Sequence, residues 1–175
     1  MKKGSIKITS GTYRSRVIST PGGKTHPMGE RERIALFNMI SEYIPSAVVL
    51  DAFAGSGALG IEAISRGAKE VTFIESNPVV SRTIHDNLAA LGASGTIVTS
   101  RVSSFLSDTE FDVILADPPY DDFKLNEVSY LVQFLKKDGV FVLSHPGEAP
   151  EIPGLSLIKS RKYAGATISI FVKAL

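Results

Sequence analysis

The residues best suited to chemistry form the tetrapeptide Asp117-Pro118-Pro119-Tyr120, which directly follows an apolar run at residues 111–116. An exocyclic amine of a nucleobase is a poor nucleophile because its lone pair is delocalised into the ring. If the Asp117 carboxylate and the Pro118 carbonyl each accept one N–H, the nitrogen becomes pyramidal and directs its lone pair at a methyl donor. Pro119 supplies no competing N–H, and Tyr120 would stack on the extruded base. The tetrapeptide therefore predicts methyl transfer to a planar amine.

A glycine-rich segment, Gly55-Ser56-Gly57-Ala58-Leu59-Gly60, lies between an apolar run at residues 47–53 and a helical pattern. Glycines suit such a turn because a Cβ would keep a ligand away from the backbone. Glu75 ends the next apolar run, where a carboxylate can accept hydrogen bonds from both hydroxyls of a ribose. Together these features predict a nucleoside cofactor. The alternative is a tight strand–helix turn that binds no ligand.

Asp51 indicates which cofactor the glycine loop would bind. Loops that bind a pyrophosphate usually have an apolar residue at this place, because a carboxylate would repel the anion. A carboxylate four residues before Gly55 favours a cofactor with a positive centre and an amino group, as in S-adenosylmethionine. A helix cap is the alternative interpretation of Asp51. A nicotinamide-dependent oxidoreductase is a more distant alternative for the whole motif.

Composition excludes several classes of protein. The 175 residues are 43% hydrophobic, which predicts one globular domain, and the absence of cysteine excludes disulfides, thiolate zinc sites and cysteine nucleophiles. His85 and His145 have no partner at the spacing of a metal site or a catalytic triad, so we expect no metal. The chain shows neither a membrane-spanning apolar run nor a signal-peptide pattern, and we expect a soluble, cytoplasmic protein without membrane contact.

Charge is unevenly distributed along the chain. Residues 1–33 carry a net charge of +6, whereas residues 34–175 carry −5. We interpret the basic segment as a contact surface for a polyanion, with a solvated basic tail as the alternative. The candidate phosphate contacts, with one histidine at the substrate entrance, are Arg14, Arg16, Arg31, Arg33 and His26. Lys159, Arg161 and Lys162 are interpreted as a solvated strand edge rather than as an extension of a nucleic-acid surface.

The elements that position these residues follow from periodicity. Continuous apolar runs predict buried strands at residues 47–53, 70–75, 96–100, 111–116 and 139–144. Helical spacing predicts helices at residues 30–43, 58–66, 78–91 and 125–136, with a helical turn at 103–106. Alternation predicts a basic hairpin at 6–8 and 16–18, and a second hairpin at 155–162 and 167–173. The economical architecture is α/β, an open and mostly parallel sheet with helices on both faces that ends in an antiparallel pair.

The chain resembles the S-adenosylmethionine-dependent methyltransferases, and among them the RsmD family, bacterial enzymes that methylate the N2 amine of one guanine in 16S ribosomal RNA. The resemblance covers nearly the whole chain and rests on Gly11-x-x-Arg14-x-Arg16, Pro27, Arg31-x-Arg33, Ala35-Leu36-Phe37-Asn38, Asp51–Gly60, Glu62–Ala68 and Asp117–Tyr120. It implies a Rossmann-like methyltransferase fold with seven strands, the last inserted antiparallel. It also implies an RNA-binding N-terminal extension, residues 1–45, before a methyltransferase domain, residues 46–175.

The resemblance further implies a monomeric enzyme that converts S-adenosylmethionine to S-adenosylhomocysteine. Its substrate would be 16S rRNA or a partly assembled 30S subunit, with guanine 966 as the target. Glu75 would hold the ribose, and Val102 and Ser103 would lie beside the adenine. The catalytic residues would be Asp117, Pro118, Pro119 and Tyr120. The cofactor-binding residues would be Asp51, Phe53, Ala54, Gly55, Ser56, Gly57, Glu75, Ser76, Val102, Ser103 and Asp117.

The chain departs from the family pattern before Arg31, where it reads His26-Pro27-Met28-Gly29-Glu30 instead of Arg-Pro-Thr-Thr-Asp. It also has Ile34 where the family has Glu, and both departures concern RNA specificity more than catalysis. Two other functions stay open. One is adenine-N6 or cytosine-N4 methylation of DNA or RNA, because the tetrapeptide suits any planar exocyclic amine. The other is a non-catalytic nucleic-acid-binding protein that uses the cofactor as a regulator. Protein glutamine methylation is disfavoured by the basic segment.

Overall fold

The N-terminal part of the chain forms a small antiparallel sheet. The structure, a computed structural model, describes residues 4–22 and 27–174, so His26 lies outside the described residues. Strands β1 (Gly4–Lys7) and β2 (Val17–Thr20) pair with Ile6 opposite Ile18. These strands overlap the predicted strands at 6–8 and 16–18, and their ends differ from the prediction by one or two residues. Residues 8–16 form a compact turn instead, in which the Ile8 N–H donates to the Arg16 carbonyl at 2.9 Å.

A second, larger sheet contains seven strands of the described chain, in the spatial order β5-β4-β3-β6-β7-β9-β8. Their bounds are β3 (Val48–Ala52), β4 (Glu70–Glu75), β5 (Thr96–Thr99), β6 (Phe111–Ala116), β7 (Leu135–His145), β8 (Leu155–Lys162) and β9 (Thr167–Lys173). Strands β3 to β7 are parallel, and β9 lies antiparallel between β7 and β8. The predicted Rossmann-like sheet with an inserted antiparallel strand is confirmed.

Helices cover both faces of the large sheet. They are α1 (Glu30–Met39), α2 (Ala58–Ser65), α3 (Pro78–Leu91) and α4 (Leu125–Tyr130). Helix α3 shows clear start and stop signals: Asn77 Oδ1 accepts the Val79 N–H at 2.9 Å, and Gly92 ends the helix with a φ of +66°. Short 3₁₀ turns occupy Ser41–Tyr43, Val102–Ser104, Tyr120–Asp122 and Leu131–Phe134.

Two predicted helices are shorter in the structure. The helix expected over residues 30–43 leaves α geometry at Ile40, whose φ is −116°, and continues as a 3₁₀ turn before Pro45. The helix expected over 125–136 ends at Tyr130 because Leu135 already pairs with Phe111 in the sheet. Strand β7 consequently begins four residues earlier than the predicted strand at 139–144.

The N-terminal extension packs on the same core as the large sheet. Ile8, Ile18 and Phe37 belong to one buried cluster together with Val49 and Val142 of the sheet. A second buried cluster fills the opposite face, between the sheet and α4. The extension therefore has a fixed position relative to the ends of the strands.

Glu62 of helix α2 anchors the turn between β1 and β2. Its carboxylate is 1% exposed and accepts the N–H groups of Thr9 at 3.0 Å and Ser10 at 3.1 Å. The Ser65 carbonyl accepts the Thr12 N–H at 2.8 Å. Gly11 has a φ of +82°, and a Cβ at this position would lie 1.7 Å from the Ser65 carbonyl oxygen. The turn of the N-terminal extension is thus held against residues 62–67.

Candidate active site

A cavity of about 970 Å³ lies beyond the carboxyl ends of the parallel strands. In open α/β sheets this edge is where ligands bind, because the strand order reverses there and opens a crevice. The loops after β3, β4, β5 and β6 contribute to its walls, and β2, the start of α1 and the loop at 165–166 complete them.

The glycine loop joins β3 to α2 with an unusual backbone. Phe53, Gly55 and Gly57 all have positive φ, at +60°, +56° and +81°. The Ala54 N–H donates to the Ile74 carbonyl at 2.8 Å, which holds the loop against β4. A Cβ on Gly55 would meet no atom within 4 Å, whereas a Cβ on Gly60 would lie 2.3 Å from the Phe73 ring. Gly55 therefore faces open space, and Gly60 permits close packing of α2 on the sheet.

Glu75 is held by two backbone groups. Its Oε2 accepts the Gly55 N–H at 2.9 Å, and its Oε1 accepts the Asn77 N–H at 2.8 Å. Both oxygens keep further lone pairs, because a carboxylate can accept about four hydrogen bonds. The carboxylate thus has a fixed orientation at the cavity wall and retains capacity for a ligand's hydroxyl groups.

Asp51 caps the first turn of α2 and also lies at the cavity wall. Its side chain is 1% exposed, and Oδ2 accepts the Gly60 N–H in the first turn of α2 at 2.8 Å, as a capping residue would. Asp51 also belongs to the cavity wall. Burial raises the pKa of Asp51 well above its usual value, and the charges of Asp117 and Glu75 raise it further, while the Gly60 N–H opposes the rise. Three carboxylates therefore lie close enough to influence one another.

Asp117 follows the last residue of β6, and Ala116 pairs with Ala52 at the end of β3. This register brings Asp117 next to the glycine loop. Burial raises the pKa of Asp117 to about 6, and a hydrogen bond from Ser144 opposes the rise. Pro118 is buried, and Tyr120 is half-buried in the turn that follows. All four residues of the tetrapeptide line the cavity.

Ser144, which the sequence analysis missed, connects Asp117 to Tyr120. It is 1% exposed near the end of β7, its hydroxyl is hydrogen-bonded to the Tyr120 hydroxyl, and it lowers the pKa of the nearby Asp117 carboxyl. Either hydroxyl can donate in the Tyr120–Ser144 hydrogen bond, and a Ser144 O–H turned toward Asp117 stabilises the ionised carboxylate. The sequence signal was a polar residue after the apolar run at 140–143, on the strand that pairs with β6 in the structure.

Most of the predicted cofactor residues line the cavity. Those that do are Asp51, Phe53, Ala54, Gly55, Ser56, Glu75, Ser76, Val102 and Asp117. Gly57 lies instead at the N-cap of α2. The 3₁₀ turn buries Val102 and leaves Ser103 exposed and outside the cavity wall, so its predicted place beside the adenine stays a prediction. Ser100 and Arg101 line the wall in its place.

The predicted role of Arg33 as a phosphate contact is also wrong. Arg33 is 2% exposed, its Nη2 donates to the Lys7 carbonyl at 2.7 Å, and its Nε lies 3.6 Å from Glu62 Oε2. Helix α1 turns this side chain inward because a buried carboxylate is available there. Arg14, Arg16 and Arg31 are exposed, as a phosphate contact requires, but do not line the cavity.

Asn87 was also missed, and it joins the extension to the glycine loop. It lies on the buried side of α3, where its side chain bonds to Ser19 of β2 and to the Ser56 carbonyl. An amide among the apolar positions Ile84, Leu88 and Leu91 was the available signal, since a buried amide needs several partners.

Two features were searched for within the described part of the chain, a metal-binding group and a membrane-spanning helix. No group of three or more His, Cys, Asp or Glu side chains there is arranged to hold a metal ion. Among residues 4–22 and 27–174, no helix is long and apolar enough to cross a membrane.

Comparison with known proteins identifies the family. Residues 6–172 match the family model described as conserved hypothetical protein 95. The ribosomal RNA small subunit methyltransferase D of Haemophilus influenzae is 38% identical over 128 residues, which cover 67% of this chain and 65% of that protein. The chain thus spans about two thirds of the length of this curated relative.

Solved structures agree in fold. The structure of the Escherichia coli protein yhhF has a TM-score of 0.88 at 33% identity and covers 97% of this chain and 98% of its own. A Thermus thermophilus 16S rRNA N2 G1207 methyltransferase, in complex with AdoMet and guanosine, has a TM-score of 0.72 at 19% identity, over 99% of this chain and 50% of that one. The second likeness is one of fold alone. With a family match over almost its whole length, the chain belongs to the RsmD family of methyltransferases.

Proposed function

We propose that this protein transfers the methyl group of S-adenosylmethionine to the exocyclic N2 amine of a guanine in 16S rRNA of the small ribosomal subunit, at the position of guanine 966, and releases S-adenosylhomocysteine. The observation that carries the proposal is that Asp117, Pro118, Pro119 and Tyr120 line one cavity together with the glycine loop.

The residues at the loop fit S-adenosylmethionine. The open space beside Gly55 admits a ligand to the backbone, and the Glu75 carboxylate is oriented to accept ribose hydroxyls. Asp51, Glu75 and Asp117 make this part of the wall acidic, which favours a cationic group and disfavours the pyrophosphate of a dinucleotide. The cavity volume lies at the upper end of the range for small-molecule sites, on the order of 300–1,000 Å³. When bound, the cofactor supplies an electrophilic methyl group on a positively charged sulfur.

Asp117 and Pro118 orient the target amine. The ionised carboxylate and the Pro118 carbonyl each accept one N–H, so the nitrogen lone pair turns toward the methyl carbon. As the new N–C bond forms, the C–S bond breaks and its electron pair stays on sulfur, which becomes neutral. The amine loses one proton, for which the Asp117 carboxylate is the nearest base. Ser144 keeps that carboxylate in position through its own hydrogen bond.

Tyr120 is suited to hold the extruded base by stacking, an interaction worth about 1–3 kcal/mol per base. Burial and the charges of Asp117 and Glu32 raise the pKa of Tyr120 above its usual value, so the phenol stays neutral. A neutral ring can approach a nucleobase without adding negative charge to an already acidic site.

We assign RNA binding to the N-terminal extension, residues 1–45, through the exposed side chains of Arg14, Arg16 and Arg31. The methyl-transfer chemistry belongs to residues 46–175. We further propose that the enzyme acts as a monomer on rRNA or on a partly assembled 30S subunit in the cytoplasm. The choice of guanine is supported by family membership, since the tetrapeptide alone suits any planar exocyclic amine.

The test is to incubate the purified protein with S-adenosylmethionine labelled in its methyl group. The acceptors are 30S subunits lacking native methylation, naked 16S RNA and duplex DNA, each then digested to nucleosides. Label in N2-methylguanosine is the expected result. Label in N6-methyladenine or N4-methylcytosine would keep the chemistry and overturn the substrate. Cofactor binding without label in any acceptor would favour the non-catalytic alternative.

A further inference from the structure

We propose that Lys159, Arg161 and Lys162 on strand β8 form a second phosphate-contacting surface for the RNA substrate, separate from the N-terminal extension. We call these three residues the β8 basic surface. The inference rests on the proposed function and adds to it the place where the RNA backbone leaves the active site.

The charge distribution points to this strand. Residues 155–175 contain four Lys and Arg and no Asp or Glu, whereas residues 34–154 contain seven basic and sixteen acidic residues. The C-terminal hairpin is therefore a positively charged segment on an otherwise acidic body. One of its four cations, Lys173, bonds through Nζ to the Leu135 carbonyl at the far end of the sheet. The other three are those of the β8 basic surface.

The side chains of the β8 basic surface are not used within the described part of the protein. Lys159, Arg161 and Lys162 are all exposed. Among residues 4–22 and 27–174, none of the three makes an ion pair or a side-chain hydrogen bond. Their charges therefore remain available to an external anion.

The topology brings this surface to the active-site edge. Lys162 pairs with Thr167, which pairs in turn with His145, the last residue of β7. The β8–β9 loop that follows contributes Gly165 and Ala166 to the cavity wall. Three residues of strand span about 10 Å. The β8 basic surface thus begins beside the cavity and extends away from it along the outer strand.

Two of the three cations share a sheet face with the N-terminal extension. In register, Lys159 pairs with Ile170 and Arg161 with Ile168. Directly paired residues lie on the same face of a sheet. Ile168 and Ile170 belong to the buried cluster that also contains Phe37 of α1. Lys159 and Arg161 therefore lie on the face that carries α1 and its exposed Arg31.

The acidic mouth of the cavity explains why two separate basic surfaces are needed. Glu32, Asp121, Asp122 and Glu127 line it, and one of its few cations, Lys124, is paired with Asp122 at 2.9 Å. Carboxylates repel phosphates, so the RNA backbone cannot follow the base into the cavity. Cations on either side of the mouth would hold the backbone while the extruded base alone enters.

Arg161→Gln with Lys162→Gln tests the surface, and the matched control is Lys69→Gln with Lys137→Gln, two exposed cations at the amino ends of β4 and β7, away from the cavity. Affinity for a naked 16S RNA transcript is measured by fluorescence anisotropy at several salt concentrations, and KM and kcat are measured in the methyl-transfer assay. We expect the β8 variant to lose about tenfold in RNA affinity and to lower the log–log salt slope by about one to two, with unchanged KM for the cofactor. The control should stay within about twofold of wild type.

A charge-conserving exchange, Arg161→Lys with Lys162→Arg, should retain wild-type affinity and so separate charge from folding. The inference is overturned if the β8 variant and the control bind RNA equally. It is also overturned if the β8 variant aggregates more but binds RNA like wild type, because the cations would then only prevent pairing of the edge strand beside exposed Leu157 and Ile158. It is also overturned if the wild-type protein shows no salt-dependent RNA binding. If the wild-type protein binds RNA but transfers no methyl group, the proposed function is contradicted. The comparison of RNA affinities between the β8 variant and its control still tests the β8 basic surface.

Discussion

Asn87 and Ser19 are joined by two hydrogen bonds that tie the N-terminal extension to the methyltransferase body. The Ser19 N–H donates to Asn87 Oδ1 at 2.9 Å, and Asn87 Nδ2 donates to the Ser19 carbonyl at 2.9 Å. The same Nδ2 donates to the Ser56 carbonyl in the glycine loop at 3.0 Å. One buried amide therefore links the edge of the N-terminal extension to the glycine loop.

Asn87→Ala should destabilise the protein by about 2–4 kcal/mol, because it leaves several buried backbone groups without partners. It should also raise KM for S-adenosylmethionine, since Ser56 loses its support. The measurements are urea unfolding and steady-state kinetics. Asp86→Ala, at an exposed neighbouring position, is the control and should be nearly neutral. Equal unfolding free energies for the two variants would contradict the linking role of Asn87.

Arg33 and Arg31 should behave differently although both are basic residues of α1. Arg33→Ala leaves Glu62 buried without this partner and should cost about 3–5 kcal/mol of stability. Arg31→Ala removes an exposed charge, so it should leave thermal unfolding unchanged and weaken RNA binding in a salt-dependent way. Thermal unfolding and RNA titrations of both variants check this. An unaltered unfolding midpoint for Arg33→Ala would show that its ion pair has no structural role.

These two arginines also show what the sequence could predict. Continuous apolar runs predicted the bounds of β4 and β6 because burial on both faces requires them, and alternation predicted the bounds of β8 and β9. The spacing of arginines in α1 did not reveal which one faces Glu62, because that depends on how α1 and α2 pack. The early start of β7 could not be predicted from an apolar run, because Lys136, Lys137 and Asp138 are charged although they belong to the strand. Ser144 and Asn87 are single polar residues whose partners are distant in the sequence.

Methyl transfer should lose activity as the pH falls through about 6, because protonated Asp117 is a poor acceptor for the N–H of the amine and can no longer take its proton. Ser144→Ala removes a donor that stabilises the ionised carboxylate, so the pKa of Asp117 should rise and the acidic limb should move to higher pH. The measurement is the single-turnover rate between pH 5 and 9. Tyr120→Phe keeps the Ser144 donor and should shift the limb less. A profile that does not move in Ser144→Ala would contradict the assigned hydrogen bond.

Asp117→Asn should stabilise the folded protein at high pH. Because burial raises the pKa of Asp117 to about 6, the folded protein binds this proton more tightly than the unfolded chain does. The resulting stability is present at low pH and is lost as the pH rises from about 4 to about 6. The neutral amide avoids the buried charge and should add about 1–3 kcal/mol at pH 8, with little gain near pH 4. Urea unfolding at the two pH values checks the sign, and a loss of stability at pH 8 would contradict it.

The central claim is that the Asp117 carboxylate orients the amine that receives the methyl group. Its most direct test is the single-turnover rate of methyl transfer from labelled S-adenosylmethionine to 30S subunits. The rate is compared between wild type, Asp117→Asn and the exposed control Asp108→Asn. Cofactor binding of each protein is measured by calorimetry. We predict that Asp117→Asn lowers the rate by at least about a hundredfold while it still binds the cofactor, because positioned acceptor groups contribute on the order of 10²–10⁴-fold. Asp108→Asn should match wild type. A rate for Asp117→Asn within a few-fold of wild type would show that the carboxylate does not perform this role.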